Sequence, residues 1–237
     1  MNFRPSGTGI IREVIELKSV GSTNTRALEE GRTGLLVVAD EQTGGRGRHG
    51  RPWFSPGGRN VYLTLTVGST DARLSIVAGV AAHEAVSSLL GHGAAVEIKW
   101  PNDLLVGGRK LCGILCETRG GLAAVGIGLN VNGLSWPPEL AGRATSLEEV
   151  LGSPRDVSLV MERLASSLEK WFALFMQEGF GPVRERFLLH GMLKGHDLST
   201  EQGEPCTVVG MEPDGRLIID VSGSRRFLVS GTVLIKP

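Results

Sequence analysis

Hydrophobic and polar positions along the chain divide it into short strands and a few helices. Residues 14–17 predict a strand that ends at Gly21, after which Ser22, Thr23 and Asn24 supply N-cap side chains to a short helix stopped near Gly31. Residues 35–39 are continuously apolar, as in a buried strand, and residues 61–67 alternate, as in a half-buried one. Leu74, Val77, Ala78, Ala81, Ala85 and Leu89 recur at helical spacing, with Asp71 as a candidate cap and Gly91 as the stop. Three more strands are predicted over 95–100, 110–117 and 122–131, with Gly107-Gly108 and Gly120-Gly121 as the hairpin turns between them. A second long helix runs over about 158–178, with Met161, Leu164, Leu168, Trp171 and Phe175 on one face, and a short helix covers about 183–189.

Near Lys194 the texture changes. Only short strands follow, over 206–209, 217–221, 227–229 and 233–235, with turns at Pro213-Asp214-Gly215 and Ser222-Gly223-Ser224. This predicts a larger unit over 1–192 and a small β-barrel appendage over 193–237, too short to be stable without leaning on the larger unit. Strands joined mainly by hairpins, with one long helix after the third, favour an α+β fold built on a mixed, largely antiparallel sheet over a doubly wound parallel one.

Composition narrows the function. The 237 residues carry 25 basic and 25 acidic side chains. A balanced charge argues against a broad electrostatic footprint for nucleic acid. Met1 to Gly7 hold no apolar core for a signal peptide, and no apolar run approaches the roughly 20 residues that span a bilayer, so a cytoplasmic protein without membrane contact is expected. Three cysteines fit a reducing compartment. Cys112 and Cys116 lie four apart on one strand, too distant to bridge at ~3.3 Å per residue, and no second Cys/His cluster completes a zinc site.

The positive charge is concentrated instead. Gly44-Gly45-Arg46-Gly47-Arg48-His49-Gly50-Arg51 places three arginines among glycines, and Lys99-Trp100-Pro101-Asn102-Asp103 is followed by Lys110 at a strand edge. Three readings of the Gly/Arg segment stand: a solvated hairpin, an RGG-like nucleic-acid segment, and a loop that orders over a small anion. Arginine's planar fork binds carboxylate and phosphate bidentately, and glycines let backbone N–H groups approach the same oxygens. The segment is not a P-loop, because it lacks the Gly-Lys-Ser/Thr ending and runs toward Trp53-Phe54-Ser55-Pro56 rather than a helix. The histidines at 49, 83, 92, 190 and 196 are scattered and take no catalytic role.

These motifs together resemble the biotin protein ligases. The matching residues are Ser22-Thr23-Asn24, Gln42 with residues 45–51, Trp53 to Pro56, Lys99 to Asp103, Arg109 to Glu117, and Gly126-Ile127-Gly128-Leu129-Asn130-Val131-Asn132, with Ala144-Thr145-Ser146-Leu147 as a weaker element. The resemblance implies a class II synthetase-like catalytic fold with a C-terminal SH3-like barrel. It implies that biotin is activated by ATP and Mg²⁺ to biotinyl-5′-AMP and passed to a lysine of a biotin carboxyl carrier protein. Some family members carry an N-terminal helix-turn-helix domain; here the first strand begins almost at once, which implies a ligase without a DNA-binding role. By resemblance, Lys110, Arg48 and Asp103 are catalytic. Ser22, Thr23, Asn24, Gln42, Arg46, Gly47, Arg48, Lys110, Gly113, Gly126 and Gly128 hold biotin. Arg46, Arg48, Arg51, Trp53, Lys110 and Asn130 hold ATP and the adenylate, with Mg²⁺ on the phosphates near Asn130. Asp103 either orients or deprotonates the acceptor lysine, or caps its own turn. Trp136 either closes over adenine or anchors its loop. An exposed sheet edge suits a homodimer. A lipoate protein ligase, which shares the fold, is the alternative; a nucleic-acid-binding regulator is the reading from another class.

Overall fold

The computed structural model describes residues 9–235 apart from 92, 134, 192, 230 and 232. His92, the termini and the signal-peptide reading of the first residues therefore lie outside what is described. The chain runs β1 (Glu13–Val20), α1 (Thr23–Glu30), β2 (Leu35–Gln42), a 3₁₀ turn (Arg48–Gly50), β3 (Val61–Val67), α2 (Leu74–Leu90), β4 (Val96–Lys99), β5 (Asp103–Val106), β6 (Arg109–Arg119), β7 (Leu122–Leu129), α3 (Leu147–Leu151), α4 (Val157–Glu178) and α5 (Gly181–His190). The C-terminal part adds β8 (Leu198–Ser199), β9 (Pro205–Met211), β10 (Leu217–Val221), β11 (Ser224–Leu228) and β12 (Leu234–Ile235).

Seven strands form one sheet in the order β1-β2-β3-β7-β6-β5-β4. Among the described residues of this sheet only β1 and β2 run parallel; the other pairs are antiparallel, so the mixed sheet expected from the hairpin turns is present. Helix α1 covers one face over β2, β3 and β7, while α2, α4 and α5 cover the other. Gly107 and Gly108 both have positive φ, as a two-residue hairpin demands, but they join β5 to β6. Strand β5 was not expected from the sequence. It is four residues long and follows a turn at Pro101, so its pattern is too brief to stand out.

Two further expectations change. β3 is buried along its whole length. Its alternation is real, but the polar row of Tyr62, Thr64 and Thr66 lies on the α1 side of the sheet and spends its hydroxyls on neighbouring groups. Asp71 does not cap α2, whose N-cap is Arg73; Asp71 instead receives the Arg73 backbone N–H and guanidinium in the turn before it.

The C-terminal strands form a five-stranded sheet in the order β11-β10-β9-β8-β12, and β11 does not pair with β12 among the described residues, so a closed barrel is not observed. Leu198, Cys206, Val208, Met211, Leu217 and Ile219 belong to the same hydrophobic core as the large sheet. Trp100 Nε1 donates to Gly215 O at 3.0 Å and Arg184 Nε to Met211 O at 2.6 Å, so this part is tied to the rest by polar contacts as well. The three cysteines are free, and burial pushes the Cys116 thiol up to about 12. No helix among the described residues is long and apolar enough to cross a membrane.

Candidate active site

The site is assembled on the sheet face beneath α1, from cross-strand rows. Thr64, Gly126 and Leu115 form one row across β3, β7 and β6; Tyr62, Gly128 and Gly113 form the next. Each row is covered by one side chain brought in from outside the sheet.

Asn24 covers the first row. Ser22 N-caps α1, its Oγ accepting from Thr25 N, and this directs Thr23 and Asn24 of the first turn onto the sheet. Asn24 Nδ2 donates to Leu115 O at 3.1 Å and to Glu117 Oε2 at 2.8 Å, and its Oδ1 lies 2.7 Å from Thr64 Oγ1. A Cβ at Gly126 would run into the Asn24 amide. Gln42, at the end of β2, accepts on Oε1 from Thr23 N at 2.9 Å and Thr23 Oγ1 at 3.1 Å, and its Nε2 donates to Ser55 Oγ at 3.2 Å. Ser22, Thr23, Asn24 and Gln42 thus form one polar edge, with the first three buried.

Trp53 covers the second row. A Cβ at Gly113 would come within 2.8 Å of the indole, and one at Gly128 would collide with its pyrrole edge. The glycine floor on which a ligand was expected to lie is occupied here by this tryptophan. Its Nε1 is buried with no hydrogen-bond partner. Lys110 Nζ lies 5.2 Å from the indole centroid and 2.8 Å from Asp103 Oδ1. Asp103 and Lys99 face each other across β4–β5. Burial holds the Lys99 ammonium below its ordinary value; Asp103 opposes this, and the cations of Lys110 and Arg143 add to it. One carboxylate therefore stands among three cations, of which Arg143 carried no role in the sequence reading. Its carbonyl receives the Lys110 N–H at 2.8 Å.

The arginines diverge. The segment carrying them is closed by an Arg46–Pro52 bridge, by Gly47 N to Arg51 O at 2.7 Å and by Trp53 N to Gly45 O at 2.9 Å. Arg46 turns toward α1, donating to Thr25 Oγ1 at 3.0 Å and pairing with Glu117 Oε1 at 3.4 Å. Arg48 turns the other way, donating to Asn102 Oδ1 at 3.3 Å and Gly231 O at 3.1 Å. Arg51 is exposed.

Asn130 and Trp136 support the loop after β7. Asn130 is 3% exposed, and its Nδ2 donates to Thr145 O at 3.0 Å and Lys110 O at 3.4 Å. Trp136 Nε1 donates to Glu149 Oε1 at 2.6 Å, so here it anchors its loop. Glu149, which the sequence reading passed over, also receives Arg109 at 2.7 Å and Thr145 Oγ1 at 3.1 Å. Ser146 and Glu149 stand at the N-cap and third positions of α3, a spacing that marks helix starts and was open to recognition.

Chemically the arrangement places a neutral polar edge, a flat glycine floor and a cationic end side by side. That suits a ligand with an uncharged polar ring at one end and an anion at the other. The Biotin/lipoate A/B protein ligase family matches residues 16–132. A biotin–[acetyl-CoA-carboxylase] ligase of Paracoccus denitrificans is 32% identical over 237 residues, covering 92% of this chain and 98% of that protein. The bifunctional ligase/repressor BirA of Bacillus spizizenii is 36% identical over 163 residues, covering 64% of this chain and 50% of that protein, so the chain spans about half the length of this relative. Among solved structures, the biotin protein ligase from Aquifex aeolicus in complex with biotin and ATP has a TM-score of 0.84 at 29% identity, covering 95% of this chain and 99% of that one.

Proposed function

The chain belongs to the biotin/lipoate A/B protein ligase family, and we propose that within it the chain is an ATP-dependent biotin protein ligase. In the first step a carboxylate oxygen of biotin attacks the α-phosphorus of ATP. The new P–O bond forms as the bond to the bridging oxygen breaks, and pyrophosphate leaves. In the second step the neutral amine of a carrier lysine attacks the acyl carbon of biotinyl-5′-AMP; the amide forms, AMP departs and the amine's proton passes to solvent.

The observation that carries this reading is the polar edge of Ser22, Thr23, Asn24 and Gln42 set next to Lys110 across the Gly113–Gly128 floor. The edge supplies donors and acceptors for a ureido ring. The floor accepts a compact bicyclic body once the Trp53 indole moves aside to wall it. Two anions meet in the first step, so fixed positive charge lowers its barrier most. Lys110 is assigned that role. Asp103 orients its ammonium until the anions arrive and then faces the incoming carrier lysine. Arg46, Gly47, Arg48 and Arg51 close over carboxylate and phosphate from the loop, and Asn130 holds the Lys110 backbone in place beside the nucleotide. Mg²⁺ would arrive with ATP and supply further positive charge to its phosphates; no group of three or more His, Cys, Asp or Glu side chains converges to hold it among the described residues, so Asn130 is the residue assigned to lie near it. The C-terminal strands are read as a small SH3-like unit that steadies the loop through Gly231 and Arg48.

The test is a mass shift. Incubated with ATP, a biotin carboxyl carrier domain and either acid, the chain is expected to add biotin to one lysine. Attachment of lipoate with biotin ignored overturns the reading.

A further inference from the structure

We infer that Glu117 is a positioning residue of this site, joining the polar edge that reads the ring to the loop arginine that closes over the anion. The inference rests on the ligase reading. Glu117 lies on β6 two register positions beyond Leu115, on the same face. Its two oxygens serve different elements. Oε2 receives Asn24 Nδ2 at 2.8 Å, and Oε1 faces Arg46 at 3.4 Å. Asn24 in turn meets Thr64 Oγ1 at 2.7 Å, Thr64 meets Thr23 Oγ1 at 2.8 Å, Thr23 donates to Gln42, and Gln42 to Ser55 beside Trp53.

The chain of contacts therefore begins at a carboxylate and ends at the segment that carries the indole. Its direction matters. A carboxylate only accepts, so it fixes Asn24 with its amide nitrogen toward β6 and its oxygen toward Thr64. That orientation decides which donors and acceptors of Thr23, Asn24 and Gln42 remain for a ligand. The same charge holds Arg46 against Thr25 at the mouth of the site, where a rotamer-rich side chain would otherwise sample solvent. Glu117 touches no reacting atom in this scheme; it acts through Asn24 and Arg46.

Glu117→Gln separates the two jobs. The amide oxygen still accepts from Asn24, while the charge that faces Arg46 is gone. The pair is part-exposed, with side chains 41% and 33% accessible, so the effect is modest. The expected result is an increase of about fivefold in the biotin KM and in the biotin dissociation constant measured directly. The kcat of adenylate formation stays within about twofold. In an Arg46→Met background the same change is expected to add less than about twofold, because its partner is already absent. An unchanged KM, an effect of equal size in both backgrounds, or a parallel fall in kcat with a lowered thermal midpoint overturns the inference. Wild-type protein measured alongside separates the two levels: if it binds no biotin, the ligase reading falls and takes the inference with it; if it binds and the variant matches it, only the inference falls.

Discussion

Trp53 rests on Gly128 so closely that the glycine cannot carry a side chain while the indole stays where it is. Gly128 faces Gly113 across the β6–β7 pair, and the indole spans both. Adding one methyl to a filled site costs about 1–3 kcal/mol when neighbours must shift. Gly128→Ala is therefore expected to lower stability by that order in the wild type and far less in a Trp53→Ala background, where the space is open. Chemical unfolding of the four proteins in this cycle measures the coupling. Equal costs in both backgrounds would place the indole elsewhere in solution.

Lys110 is expected to matter to chemistry and little to folding. Its ammonium pairs with Asp103 at 2.8 Å and overhangs the indole, but it remains part-exposed and outside the hydrophobic core. Removing a preorganised charge of this kind slows a charge-developing step by roughly 10²–10³. Lys110→Ala should show that loss in pyrophosphate release from ATP and biotin, with a stability change of about 1 kcal/mol or less. Normal pyrophosphate release by a folded variant would remove Lys110 from its assigned role.

The direction of Lys110 could not be read from alternation. Counting by twos along β6 puts Lys110 on the same face as Cys112 and Ile114, which is the core face. The register between β5 and β6 shifts at Leu104/Leu105, where Leu104 pairs with Cys112 and Leu105 with Lys110. This bulge makes Leu111 the extra residue and turns Lys110 to the side of Gly113, whose Cβ position lies 3.0 Å from Lys110 Cε. By contrast, Ser22, Thr23 and Asn24 were legible because an N-cap has a chemical signature and a fixed geometry. The hairpin glycines were legible for the same reason. Arg46 and Arg48 were legible as charge but not as direction, since only long-range partners, Glu117 on one side and Asn102 with Gly231 on the other, send them apart. Trp53 could be named as a wall; that it lies on the floor follows from the β6–β7 register, which no local pattern reports.

Acid should weaken the packing of α2 against α5. His83 of α2 is 2% exposed, contacts Val96 O at 3.2 Å and Ser87 Oγ at 3.4 Å, and stacks on His190 of α5 with ring centroids 4.1 Å apart. Burial first, then His190 and Arg186, hold its pKa down to about 4; the Val96 carbonyl and Glu84 oppose this. His190 is shifted down as well, by burial and Arg186. A base with a depressed folded pKa binds fewer protons folded than unfolded between the two values. Its contribution is complete above the unfolded value of about 6.5 and is lost as pH falls toward about 4. The loss is of order 3 kcal/mol for His83 if the full shift holds. Denaturant unfolding should show wild-type stability falling between pH 6.5 and 4, with a shallower fall in His83→Gln. Parallel pH curves for the two proteins would refute the assignment.

Arg48 should decide where the adenylate goes. Its guanidinium links three separate stretches: its own loop, Asn102 in the turn between β4 and β5, and Gly231 beyond β11. Asn102 is itself held, donating from Nδ2 to Ile114 O at 2.9 Å and receiving Ile114 N–H on its carbonyl at 2.8 Å, so it offers Arg48 a rigid acceptor. Glycine at position 48 removes every one of these contacts and loosens the backbone between Gly47 and Gly50. In the proposed reaction Lys110 and its Asp103 partner are untouched, so adenylate is expected still to form. What the change is expected to remove is the proposed closure that keeps a mixed anhydride from water and from other amines. Arg48→Gly is therefore expected to keep much of its pyrophosphate release while biotinyl-5′-AMP escapes and labels bystander lysines. Mass spectrometry of a bystander protein incubated with variant, ATP and biotin reads this directly. Labelling confined to the carrier lysine would show that the loop encloses the intermediate without Arg48.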